Sequence, residues 1–168
     1  MTKEQKGVAT FGPLALLTTL VSLYATAHFN EALTRSGWAL SAPIATLIIS
    51  VWLLISIGTI GNKRFLHEDS IGGSVVDVPG GRLTVDKAVL QNTLEQLILA
   101  AIVYQALAHL YGSAALPYTA TLTALFSLGR LCFLLGYKGG AGSRAFGFGL
   151  TFYPTVLTFL YIVVRSVV

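Results

Sequence analysis

The sequence predicts an all-α membrane protein that crosses a bilayer five times, and three observations carry that expectation. The first is composition. Of 168 residues, 54% are hydrophobic and only 11% are charged, with a mean hydropathy of +0.73. A soluble domain averages about 25% charged residues, so this chain has too few to cover a globular surface. The second is segmentation into apolar stretches of roughly 20 residues, the length that spans a hydrocarbon core. The third is the placement of positive charge.

The stretches run over residues 8–29, 41–61, 88–111, 117–137 and 145–166. Breakers separate them: Gly37, Ser41 and Pro43; Gly72, Gly73, Pro79, Gly80 and Gly81; Gly112 and Pro117; Gly139, Gly140 and Gly142. With the N-terminus inside, the inner side holds Lys3, Lys6, Lys63, Arg64, Arg82, Lys87, Lys138 and Arg144. The outer side holds Arg35 and Arg165, and Arg130 falls inside a span. This asymmetry predicts a multi-pass protein with a cytoplasmic N-terminus. It also accounts for the basic surplus without nucleic acid.

The first span has a second reading. Lys3 and Lys6, an apolar core and Ala25-Thr26-Ala27 also fit a signal peptide over residues 1–27. A retained span is favoured, because the uncharged stretch is long enough to cross and Gly12-Pro13 interrupts a signal core.

Ionisable groups inside spans are functional candidates by default. Glu95 lies roughly 12 Å beyond Lys87, and Arg130 roughly 10 Å before Tyr137, at 1.5 Å per residue. Matched depth on antiparallel neighbours predicts a Glu95–Arg130 ion pair, with a structural rather than a chemical role. Asn92 shares a helix face with Glu95 at i, i+3. Gln91, Gln96 and Gln105 add polarity to the same span.

Asn92, Glu95, Tyr137, Arg144 and the Lys63-Arg64 pair all fall at the inner ends of three spans and in their loops. Together they predict a cationic, hydrogen-bonding pocket open to cytosol and lipid. Ser143 is the expected N-cap of the last span, with Arg144 in its first turn. A cation opposes the helix dipole there. Arg144 is therefore either the partner of a bound anion or a topology anchor. Phe148, Phe152 and Phe159 recur on one side of the last span, as a substrate wall or a packing stripe. His28, His67 and His109 have no metal-ligand spacing, so no metal is expected. A single cysteine, Cys132, gives no disulfide framework. No phosphate-binding or dinucleotide fingerprint appears.

NTLEQ at 92–96, GRLCFLLGY at 129–137 and SRAFGFG at 143–149, in that order, resemble the MAPEG family, membrane-associated proteins in eicosanoid and glutathione metabolism. The run GSRAFGFGLTFYP and the five-span layout look most similar to its mattrin-like branch. The resemblance implies a four-helix transmembrane bundle over residues 41–168, with residues 1–40 as an extra N-terminal helix and outer loop. It implies a homotrimer that binds glutathione at the cytoplasmic face and takes lipophilic small molecules from membrane lipid. Asn92 and Glu95 match the family's Asn-x-x-Glu. Arg130 matches an arginine that pairs within the bundle. Tyr137 matches a tyrosine near glutathione, and Arg144 the arginine that stabilises the thiolate.

Departures accompany the match. Where the enzymes carry basic residues for the glutathione carboxylates, this chain has Ala88 and Gln91, with Lys63 or Arg64 as candidate substitutes. Ala145 replaces a small hydroxyl residue and Phe148 a tyrosine. The implied activity is a glutathione-dependent transferase or peroxidase acting on lipophilic electrophiles. The alternative is a non-catalytic binder of lipid or a protein partner.

Overall fold

The computed structural model describes residues 1–66 and 83–167. The described residues form α1 (Lys3–His28), α2 (Asn30–Arg35), α3 (Ala42–Phe65), α4 (Thr84–Tyr111), α5 (Leu116–Gly136) and α6 (Ala141–Val167), with no strand among them. The HEDS segment and Arg82 lie outside the described residues.

Four apolar segments are long enough to cross a membrane. One of these, Thr84–Gly139, is the antiparallel pair α4 and α5 joined by a 3-10 turn at Gly112–Ala115. Five long helices therefore stand where five stretches were expected. The shortest, α5, has 21 residues, roughly 31 Å at 1.5 Å per residue, enough for the hydrocarbon core. The last span starts at Ala141, earlier than residue 145. Leu47, Leu54, Ile102, Leu135 and Val164 are exposed on the bundle surface, as lipid-facing side chains should be.

Local chemistry fixes the helix ends. Thr2 and Gln5 form a reciprocal capping box at the start of α1. Pro43 and Pro117 sit in the first turns of α3 and α5, where the missing N–H costs nothing. Gly140, at φ +91°, turns the chain into α6, a conformation that side chains rarely adopt.

Inside the bundle, hydroxyls satisfy themselves. Thr19, Thr93, Thr119, Thr123 and Thr155 each donate to the carbonyl four residues earlier. No water is available at that depth, so an unpaired hydroxyl is costly.

Paired contacts give the helix directions. Lys63 Nζ meets Asp86 Oδ2 at 2.6 Å at one end of α3 and α4, and Gln105 reaches Thr46 at the other, so these helices are antiparallel. Thr26 and Thr121 share a hydrogen bond of 2.8 Å between α1 and antiparallel α5. By contrast, α1 and α6 run parallel. A Cβ on Gly7 would come within 2.6 Å of Gly142 Cα, and one on Gly149 within 2.6 Å of Ala15 Cβ. Small residues let these backbones approach closely. On another face of α6, Gly147 rests against the Phe133 backbone of α5.

Two apolar clusters result. The larger joins α3, α4 and α5 through Ile49, Ala100, Tyr104, Leu122 and Phe126. The smaller joins α1, α5 and α6 through Ala15, Leu125 and Leu150. The N-terminal ends of α1, α4 and α6 and the C-terminal end of α5 gather beside the smaller one.

Candidate functional site

A cavity of about 400 Å³ opens at this gathering point, within the range of about 300–1,000 Å³ common for ligand sites. Asn92 and Ala88 reach it from α4, Phe133 and Tyr137 from the end of α5, and Arg144, Ala145 and Phe148 from α6. Val8 and Gly12 of α1, with Ala141 and Tyr153 of α6, complete the lining. Three of the expected residues, Asn92, Tyr137 and Arg144, thus share one cleft.

Arg144 is half-buried, and its guanidinium carbon lies 4.5 Å from the centre of the Tyr137 ring. It forms no salt bridge within the described residues. The Glu4 carboxylate lies elsewhere, against the turn before α6: a Cβ on Gly140 would be 2.7 Å from its oxygen. An acid there suits the positive end of the helix dipole. The protein thus places its own carboxylate beside that end, and the Arg144 charge faces the cavity.

Tyr137 is held in turn. Its ring meets Phe133 edge-on at 5.3 Å, and the Arg130 guanidinium sits 4.5 Å over the opposite partner, Phe133. The result is a ladder of cation, two aromatic rings and cation. Such contacts are worth roughly 0.5–2 kcal/mol each, more where water is excluded.

Arg130 itself is 1% exposed. It donates to Asn92 Oδ1 at 2.9 Å, Thr151 Oγ1 at 2.8 Å and Thr93 Oγ1 at 3.5 Å. Its Nε has no hydrogen-bond partner among the described residues. The expected Glu95–Arg130 pair is corrected within this chain. Glu95 is exposed and accepts from Gln91 Nε2 at 2.8 Å. The reason is rotation: Arg130 faces the arc between Asn92 and Thr93. At 3.6 residues per turn, Glu95 lies about 60° beyond Asn92 and about 160° from Thr93, outside that arc. Matched depth brought the two residues level, but on different faces.

Other expectations are corrected as well. Glu95 does not line the cavity. Lys63 is taken by Asp86, and Arg64 also stays outside the lining. The basic pair therefore supplies no charge to the cleft within one chain. Ser143 is not a cap: it lies inside α6, and its hydroxyl donates to the Gly136 carbonyl at 2.6 Å and to that of Gly140 at 3.0 Å. It ties the α5–α6 turn shut. Of the three phenylalanines, Phe148 lines the cavity and stacks on Phe152 at 5.4 Å, whereas Phe159 is exposed.

Sequence reasoning missed Thr93, Thr151, Phe133 and Tyr153. The hydroxyls sat in spans rich in Thr, with nothing to mark two of them as arginine ligands. It also missed the contribution of α1.

The chain matches the model of the MAPEG family over residues 36–164. No curated protein and no solved structure gives a significant match. The family match covers α3 to most of α6 and leaves α1 outside.

Proposed function

The chain belongs to the MAPEG family and is an integral membrane protein; from this premise we propose that it is a glutathione-dependent transferase or peroxidase for lipophilic electrophiles. In this reading residues 1–40 are an appended span and connection, and residues 41–168 the four-helix unit. The protein is a homotrimer with its N-terminus in the cytoplasm. The inner ends of the helices, where Lys63, Lys138 and Arg144 gather, face the cytosol.

The observation that carries the proposal is the cleft: Arg144, without a carboxylate partner among the described residues, faces the same space as Tyr137 and Asn92. A free thiol has a pKa of about 8.5 and is mostly protonated at neutral pH. A guanidinium nearby favours the thiolate, and hydrogen bonds between charged groups are strong. Asn92 Oδ1 is engaged by Arg130, leaving its amide N–H groups as donors. The Tyr137 hydroxyl adds another. The sulfur then attacks an electrophilic carbon presented from the apolar side, against Phe148, and the bond to that carbon's leaving group, or its π bond, breaks as the sulfur–carbon bond forms.

The donor set suits the thiol end of glutathione better than its carboxylates. Ala88 brings no charge to the cavity, and Lys63 is held by Asp86. That shortfall favours a second reading, a non-catalytic protein that binds lipid or a protein partner through the same bundle.

Ultraviolet difference spectra and calorimetry on the purified chain separate the two. The enzyme reading expects glutathione binding and a thiolate band that disappears in Arg144→Ala. Absence of binding at millimolar glutathione would leave the non-catalytic reading standing.

A further inference from the structure

The extra helix α1 is built into the cleft, and its position suggests a task. Gly7 on Gly142 and Ala15 on Gly149 form two close seats. Gly12 lies between them and lines the cavity with Val8. Because both seats are backbone or Cβ contacts, α1 cannot move closer to α6 between them. Between the seats, the room that Gly12 leaves is bounded by Tyr153, whose hydroxyl is 3.6 Å from the place a Cβ would take.

Tyr153 of α6 faces the same gap. Its hydroxyl is the one atom within 4 Å of a Cβ built on Gly12, at 3.6 Å. Its ring contacts Phe152 edge-on, and the hydroxyl makes no hydrogen bond to the described residues. The Tyr153 side chain is half-buried and borders the cavity, so its hydroxyl has room for a partner there. Gly7 is level with Gly142 and Ala15 with Gly149, which places Gly12 level with the second turn of α6. The Tyr153 hydroxyl, reaching back to Gly12, therefore stands two to three residues, roughly 4 Å, further along the bundle than the Arg144 backbone.

We propose that the seam between α1 and α6 is the specificity site for the lipophilic substrate: its apolar chain lies over Gly12, and an oxygen on it accepts a hydrogen bond from Tyr153. This rests on reading the cleft as a site for lipophilic electrophiles. The substrate class is an elongated, oxygen-bearing molecule such as a long-chain unsaturated carbonyl compound. In conjugation of such a compound, the sulfur–carbon bond forms as the carbon–carbon π bond breaks, and the neighbouring carbon takes a proton from water. Tyr153 is a positioning residue that holds the carbonyl oxygen. The wall comes from a helix outside the family match, so the selectivity belongs to this chain.

The test uses the full chain in detergent with glutathione. The substrates are a short and a long α,β-unsaturated aldehyde, and a benzyl halide that lacks oxygen. Gly12→Leu should lower kcat/KM for the long aldehyde about tenfold relative to the short one, the scale of lost space in an apolar pocket. Tyr153→Phe should raise KM for the aldehydes and leave the benzyl halide unchanged. Size-exclusion profiles should match the wild type, and the substrates are compared within each variant, so that a change in glutathione affinity common to all of them cancels. Unchanged substrate ratios in both variants would overturn the proposal and leave the glutathione activity intact.

A second measurement covers a chain that turns nothing over. A photoactivatable long-chain aldehyde, without glutathione, should label residues 3–28, and Gly12→Leu should abolish that label. Labelling confined to other helices would overturn the proposal. Labelling of α1 without any turnover would sustain the seam and remove the enzymatic reading instead.

Discussion

Arg130 and Arg144 stand at the two ends of one aromatic ladder, yet their surroundings are opposite. Arg130 is enclosed by α4, α5 and α6 and bonds to three neutral oxygens. Arg144 is half-buried, touches one ring face and opens onto a cavity. Both groups carry the same charge, but the first is satisfied by the bundle and the second has no salt bridge among the described residues. A cation inside a span therefore does not by itself mark chemistry. What separates structure from site is whether the donors of that cation are already used.

The largest test of this contrast is Arg130→Ala. It leaves Asn92, Thr93 and Thr151 without their shared donor, and should cost about 3 kcal/mol, read as a lower melting temperature in detergent. Arg130→Lys should recover only part of the loss, because an ammonium cannot fork to two helices. A wild-type melting temperature for Arg130→Ala would remove the structural half of the comparison.

Next in size is Arg144→Ala. The melting temperature should fall by no more than the loss of one part-exposed cation–π contact allows, about 0.5–1 kcal/mol, while glutathione affinity falls roughly tenfold or more, the scale of one charge-assisted hydrogen bond. Calorimetry decides. A loss of stability with no loss of affinity would move Arg144 to the structural side.

Ala88→Arg sharpens the comparison from the other direction. Position 88 lines the cavity, so a guanidinium there supplies the missing carboxylate partner. Glutathione affinity should rise several-fold, as a partly exposed ion pair of about 1 kcal/mol allows. An unchanged dissociation constant would show that glutathione does not extend toward α4.

The smallest effect belongs to Glu95→Ala. Its side chain is exposed and bonded only to Gln91, so unfolding should shift by no more than about 0.5 kcal/mol. Combined with Arg130→Ala, the losses should add. A double variant markedly more stable than that sum would restore the ion pair that the geometry replaces.

How far the sequence led can be judged from these same residues. Span number and helix order were legible because a bilayer demands long apolar runs and sorts Lys and Arg by side. Bringing Asn92, Tyr137 and Arg144 together was legible because all three lie near helix ends that fall at the same end of the bundle. The partner of Arg130 was not. Depth follows from counting residues, but facing follows from rotation, and the rotation of α4 is set by packing of Val89, Leu97 and Ala100 against its neighbours. The place of α1 was hidden for a different reason. In the sequence, Gly12 and Pro13 read as interruptions of an apolar core, and the partners of Gly7 and Ala15 lie at the far end of the chain.

That separation has a consequence for how the protein is made. The seats of α1 are on α6, roughly 110 residues after α1 ends. At about 5–20 residues per second, translation needs several seconds or more to reach them. During that interval α1 resides in the membrane without its main partner, and the seam of Gly7, Gly12 and Ala15 is open to lipid. The cleft is therefore the last part of the bundle to close, and a ribosome that stalls before α6 leaves a nascent protein with no site at all.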